Sequence, residues 1–81
     1  MDSIQLHILS PEGTLVRKAV SLVTLPGMLA PFTVLPGHAA LLSALTAGNI
    51  RYVADGTEER LPIKEGFVEV RDNVVSACVE V

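Results

Sequence analysis

Tryptophan is missing from this 81-residue chain, and aromatic residues make up only 4% of it. A core without rings must be filled by Val, Leu, Ile and Ala, and the valines favour pleated strands. Cysteine occurs once, as Cys78, which excludes an internal disulfide and a cysteine-rich metal site. A free cysteine within "VVSACVEV" behaves as a small hydrophobe, so Cys78 is expected in the core or at an interface. Basic residues are scarce: six Lys and Arg stand against nine Asp and Glu, for a net charge of −3. With no cluster of Lys or Arg, nucleic-acid binding lacks its electrostatic footprint. No apolar run approaches the roughly 20 residues that cross a bilayer. The start, "MDSIQLHIL", has neither the basic region nor the apolar stretch of a secretory signal.

Hydrophobic residues, by contrast, are plentiful at 49%, with a mean hydropathy of +0.48. A chain this short buries only about 60–65% of the surface its unfolded form exposes. Apolar area that cannot be buried internally points to a partner.

Turn signals divide the chain every 8–12 residues or so, the rhythm of an antiparallel sandwich or barrel. "IQLHIL" alternates, with Ile4, Leu6 and Ile8 on one face and Gln5 and His7 on the other, as a half-buried strand does. Pro11 and Gly13 turn the chain. "TLVRKAVSLVTL" is too long for one flat strand, and the adjacent charges Arg17 and Lys18 predict a bulge in its middle. Two Pro-Gly loops follow, "PGMLAP" and "PGH", with "FTVL" between them and "AALLSAL" read as a strand after them. Asp55-Gly56 between alternating runs predicts a hairpin. Pro62 marks an edge strand or a bulge. "GFVEV" and "NVVSACVEV" form a further hairpin through "RDN". The expected fold is all-β, a small antiparallel sandwich of about 8–10 short strands, with residues 1–81 as one domain.

Catalytic chemistry finds no support. His7 and His38 are the only histidines, and their spacing makes no metal motif. Glu58 and Glu59 are strand neighbours facing opposite ways, a poor acid–base pair. Phosphate-loop, dinucleotide and nucleophile-elbow motifs are all absent. No catalytic, cofactor or metal residues are therefore assigned. His38 reads equally as a turn residue bonded to nearby backbone or as a polar contact presented to a partner.

"LPGMLAPFTVLPGHAALLSAL", then "AGNIRY", then "EGFVEVRDNVVSACVEV" resembles the epsilon subunit family of F-type ATP synthases, called delta in mitochondria. The specific signature is Pro36-Gly37-His38-Ala39 combined with Gly66-Phe67-x-Glu69-Val70, and the likeness runs from about Ile4 to Val81. Departures occur at Ala30, Pro31, Ala40, Ala47 and Glu65, where many members carry Gly, an acidic residue, Pro, Pro and Gly.

The resemblance implies a non-catalytic part of the central stalk that couples rotation to ATP synthesis. It would bind the gamma subunit and rest on the c-ring, peripherally, at the cytoplasmic face of a bacterial inner membrane. It implies a gamma-facing surface near Ser10, His38 and Ser43 and a c-ring-facing loop at Met28, Leu29, Ala30 and Pro31. With Pro31 in place of an acid, that loop would make contact by shape and apolar area. The chain also stops where the family's sandwich stops, without the two regulatory helices of many bacterial members. The helices are either naturally absent or cut away; if this is the native length, the expectation is a subunit that neither inhibits ATP hydrolysis nor binds ATP. The competing reading from another class is a stand-alone small β-barrel that binds an apolar ligand or a protein partner.

Overall fold

Alternation in the first strand places Ile4, Leu6 and Ile8 wholly inside while Gln5 and Leu9 face out. The computed structural model describes residues 3–81, and among them nine strands follow one another without a helix. They are β1 (Ile4–Ser10), β2 (Gly13–Val20), β3 (Leu22–Leu25), β4 (Phe32–Val34), β5 (Leu41–Leu45), β6 (Gly48–Ala54), β7 (Thr57–Ile63), β8 (Glu65–Arg71) and β9 (Val74–Glu80). They form a five-stranded sheet, β2-β1-β9-β8-β5, and a four-stranded sheet, β4-β3-β6-β7. The expected β-sandwich is present. One pair departs from the antiparallel pattern: β1 lies parallel to β9, from Gln5 opposite Val74 to Leu9 opposite Cys78.

The core is aliphatic. Ile4, Leu6, Ile8, Val68, Val70, Val75, Ala77 and Val79 from the larger sheet meet Val23, Leu25, Val34, Ile50, Tyr52 and Ile63 from the smaller one. Among the described residues no charged side chain is buried, and no buried side-chain polar atom lacks a partner. Burial at roughly 25 cal/mol per Å² of apolar surface is the main stabilising term.

Turn chemistry fixes the hairpins. Asp55 and Gly56 both adopt positive φ, 52° and 76°, as the predicted two-residue hairpin requires. The second hairpin turns at Asp72 and Asn73, with φ of 52° and 62°. Pro62 lies in β7, an edge strand, where its missing N–H leaves no gap in the sheet.

The bulge predicted at Arg17–Lys18 lies elsewhere. The register of β1 against β2 shifts between Ile8 and Leu9, which skips Leu15, and the long run itself breaks at Ser21. There the chain leaves one sheet for the other, and Ser21 N–H donates to Val53 O at 2.8 Å to seal the corner. The charges misled because β2 is an edge strand. Arg17 and Lys18 can alternate without either being buried, since Lys18 on the core side extends outward along its methylenes.

Lys18 Nζ lies 3.7 Å from Glu59 Oε1 and 5.9 Å from the centre of the Tyr52 ring. Tyr52 O–H donates to the same Glu59 oxygen at 3.1 Å. The cluster covers the open side where edge strands β2 and β7 approach. Half-exposed, the ion pair contributes little, but the tyrosine is affected. Burial, then the hydrogen bond to Glu59, then the negative charge of Glu59 raise the Tyr52 pKa above its ordinary value of 10.0. A group whose folded pKa is raised contributes stability that is complete below its unfolded pKa and is lost as pH rises through the folded one. Urea midpoints measured from pH 8 to about 11 should therefore decline at the alkaline end, and Tyr52→Phe should flatten that decline. An identical decline in the variant would show that the hydroxyl is not the source.

Candidate interaction face

The outer faces of the two sheets differ in chemistry. Across the smaller sheet, one cross-strand row reads Thr33, Thr24, Arg51, Arg60 from β4 to β7. It is polar throughout, and the two threonine hydroxyls bond each other at 3.0 Å. Across the larger sheet, the row through β1, β9, β8 and β5 reads Leu9, Cys78, Phe67, Ala44. Leu9 is 40% exposed and Phe67 53%, and Leu42, the next residue on the same face of β5 as Ala44, is 64%. An apolar row on a sheet's outer face has no core to enter and stays open to solvent. Cys78 lies in that row and is exposed, so of the two expected places, core or interface, the core is ruled out. Val75, Ala77 and Val79 fill the inner face of β9 instead.

The two Pro-Gly turns flank this face near β5 for different reasons. Pro36-Gly37 occupies the centre of a β-turn closed by His38 N–H to Leu35 O at 3.0 Å. Gly37 has φ of 87°, which the third position of such a turn demands after a proline. Gly27, by contrast, is needed for space: a Cβ there would stand 2.5 Å from Ala30 O and 2.9 Å from the Phe32 ring. That loop is tied back to β5 by Met28 N–H to Ala44 O and Thr46 N–H to Pro26 O, at 3.0 and 2.9 Å.

The site residues expected from the sequence fall into two groups. Met28, Leu29, Ala30 and Pro31 are all exposed at the tip of the tied loop. With His38, Leu41, Leu42 and Ser43 they line one groove of about 670 Å³. The two expected surfaces are therefore adjacent at β5. His38 Nδ1–H donates to Ala39 O at 2.7 Å, so the ring is oriented by its own turn. Ser43 sits on the core-facing side of β5, opposite Val68, half-buried, with its hydroxyl donating to Ala44 O at 3.0 Å. Ser10 stands apart at the far end of β1, three strands from β5, and closes its own turn by accepting Glu12 N–H at 3.2 Å. It borders an apolar hollow of about 410 Å³ shared with Leu9, Pro11 and Cys78.

The residues that link Ser10 to the β5 groove are Leu9, Cys78 and Phe67, which come from three strands and carry no local sequence signal as one surface. The groove itself has a signal: between Lys18 and Arg51 the chain has no Asp, Glu, Lys or Arg, and that stretch supplies β5 and both loops. No group of three or more potential metal ligands gathers among the described residues. No helix there is long and apolar enough to cross a membrane.

Comparison with known proteins agrees with the fold. The sequence profile of the ATP synthase delta/epsilon chain β-sandwich domain matches residues 3–81. The ATP synthase epsilon chain of Desulfitobacterium hafniense is 41% identical over 75 residues, covering 93% of this chain and 57% of that protein. That of a Nitratiruptor species is 43% identical over 81 residues, covering 99% of this chain and 63% of its own. The chain thus spans about three fifths of the length of these curated relatives. A chain in the cryo-EM structure of the Euglena gracilis mitochondrial ATP synthase, comprising OSCP, F1 and c-ring, superposes with a TM-score of 0.88 at 24% identity. The match covers 95% of this chain and 50% of that one, and at such identity it speaks for the fold alone.

Proposed function

This chain belongs to the family of ATP synthase delta/epsilon β-sandwich domains, and from that premise we propose that it is a non-catalytic rotor part. It links the gamma subunit to the c-ring in the central stalk and couples rotation to ATP synthesis. It does so peripherally, at the cytoplasmic face of a bacterial inner membrane, without cofactor, metal or nucleic acid. The observation that carries this reading is the apolar row Leu9, Cys78, Phe67, Ala44 on the outer face of the larger sheet, its first three residues exposed, where the row described on the smaller sheet is polar. A torque-transmitting part needs a broad, stiff contact and no catalytic site. A β-sandwich with preset turns offers one at small ordering cost.

In this reading the outer face of the larger sheet meets gamma, together with its β5 edge, where His38 stands and Ser43 turns inward, and with Ser10 at the far corner. The Met28–Pro31 loop meets the c-ring. The test of the whole is association: the chain mixed with gamma should elute as one complex in size-exclusion chromatography. Separate elution at micromolar concentration would overturn it.

The loop assignment has its own test. Met28 is 64% exposed and Leu29 fully so, so a Met28→Asp, Leu29→Asp variant should fold with an unchanged urea midpoint. In reconstituted vesicles it should lower ATP synthesis per proton gradient applied. Unchanged coupling would remove the loop from the c-ring contact.

A further inference from the structure

The turn that presents His38 is held from outside by one side chain, 36 residues away in sequence. Gly37 N–H donates to Asn73 Oδ1 at 2.7 Å. Because a backbone N–H can be met only by an acceptor, this bond also fixes which way the Asn73 amide faces. Other hydrogen bonds of the turn, His38 N–H to Leu35 O and His38 Nδ1–H to Ala39 O, stay inside the segment. Among the described residues, Asn73 alone bonds the segment from outside.

Asn73 also does two other things. It is the second of the two central residues of the β8–β9 turn, at φ of 62°, a conformation that Asn tolerates better than most residues. Its carbonyl accepts Gln5 N–H at 2.9 Å, where β1 begins to pair with β9. A single residue therefore joins the hairpin end of the apolar face, the first strand and the Pro36-Gly37-His38 turn.

The geometry points to Asn73 as a positioning residue for the His38 turn: through Oδ1 it fixes the angle at which the turn stands against the outer face. This rests on the proposed gamma contact at His38 for its functional consequence, but not for its structural one. The side chain does not touch the partner in this scheme; it acts through Gly37.

Two substitutions separate the roles of Asn73. Asn73→Gly keeps positive φ and the carbonyl that Gln5 needs but removes Oδ1. Asn73→Asp keeps an acceptor at the same place. Amide hydrogen exchange, read by NMR on the isolated 81-residue chain, is the direct measurement. In Asn73→Gly the Gly37 amide should exchange about tenfold faster, the size of one lost hydrogen bond, while the Gln5 amide stays protected. Asn73→Asp should restore Gly37 protection. Unchanged Gly37 exchange in Asn73→Gly, or equal loss at Gln5 and Gly37, would overturn the assignment, the latter by showing general loosening of the hairpin.

Titration with gamma then distinguishes the two readings. Asn73→Gly should weaken binding about fivefold with rescue by Asn73→Asp, a pattern that loss of stability alone would not produce. Faster Gly37 exchange with unaltered gamma affinity would uphold the positioning role and refute the contact at His38.

Discussion

Phe67→Lys should fold as well as the parent chain and bind gamma at least about a hundredfold more weakly, because replacing an apolar ring by a hydrated ammonium that must be stripped of water in the interface costs several kcal/mol. Phe67 sits at the middle of the apolar row, opposite Cys78 on β9 and Ala44 on β5. Its ring is half exposed in the free chain, so folding has little to lose from its replacement. Lysine is the better probe than glutamate for a second reason. Glu65 and Glu69 lie two residues to either side on the same strand face, and Glu80 lies diagonally across on β9. A cation there meets carboxylates in the free protein, whereas a further anion would be repelled. Calorimetric titration against gamma gives the affinity and urea unfolding gives the control. Parent-like affinity in a folded variant would exclude this face from the gamma contact.

Leu6→Ala should have the largest effect on stability, about 3 kcal/mol, within the usual range for a buried leucine cut back to alanine. Leu6 is completely buried on β1, between Lys18 of β2 and Val75 of β9, in the middle of the aliphatic core. With no aromatic ring but that of Tyr52 fully inside the core cluster, few neighbours can swing in to fill the space. A domain of this size has on the order of 5–10 kcal/mol in total. At roughly 1 kcal/mol per molar urea, the midpoint should fall by about 2–3 M. Leu42→Ala is the paired control: the same chemical change on β5, at 64% exposure, should stay within about 0.5 kcal/mol. Equal effects from the two would mean that Leu6 does not face the core.

How much was legible in the sequence depended on whether the deciding force was local. Asp55-Gly56 announced its hairpin because few residue pairs accept two positive φ values in succession. Ile4, Leu6 and Ile8 declared their face because polar residues alternate with them. β9 carried the same cue more faintly. Val75, Ala77 and Val79 alternate with Val74, Ser76, Cys78 and Glu80, so period two sets Cys78 on the side of the polar Ser76 and Glu80, and only the apolar Val74 and Cys78 blur it. The parallel pairing of β1 with β9 joins segments about as far apart as the chain allows, and no local pattern specifies it. The outer apolar row was hidden for the same reason. Leu9, Phe67 and Cys78 come from three strands and become neighbours only once the sheet is assembled. Ser10, His38 and Ser43 were named from the resemblance. The structure adds that Ser10 and the His38–Ser43 pair occupy separate corners and that the apolar row lies between them.

The parallel β1–β9 pair has a mechanical consequence. A tug between the start of β1 and the end of β9 acts along the ladder, in shear, because those two points lie at opposite ends of strands running the same way. The bonds from Gln5–Val74 to Leu9–Cys78 then share the load and must fail together, whereas in a hairpin pulled from its open end they would unzip one at a time. The same pair is flanked by β2 on one side and β8 on the other, so neither strand can peel from an edge. Resistance to such a pull is therefore greatest along the axis of the β1–β9 pair, in the middle of the larger sheet.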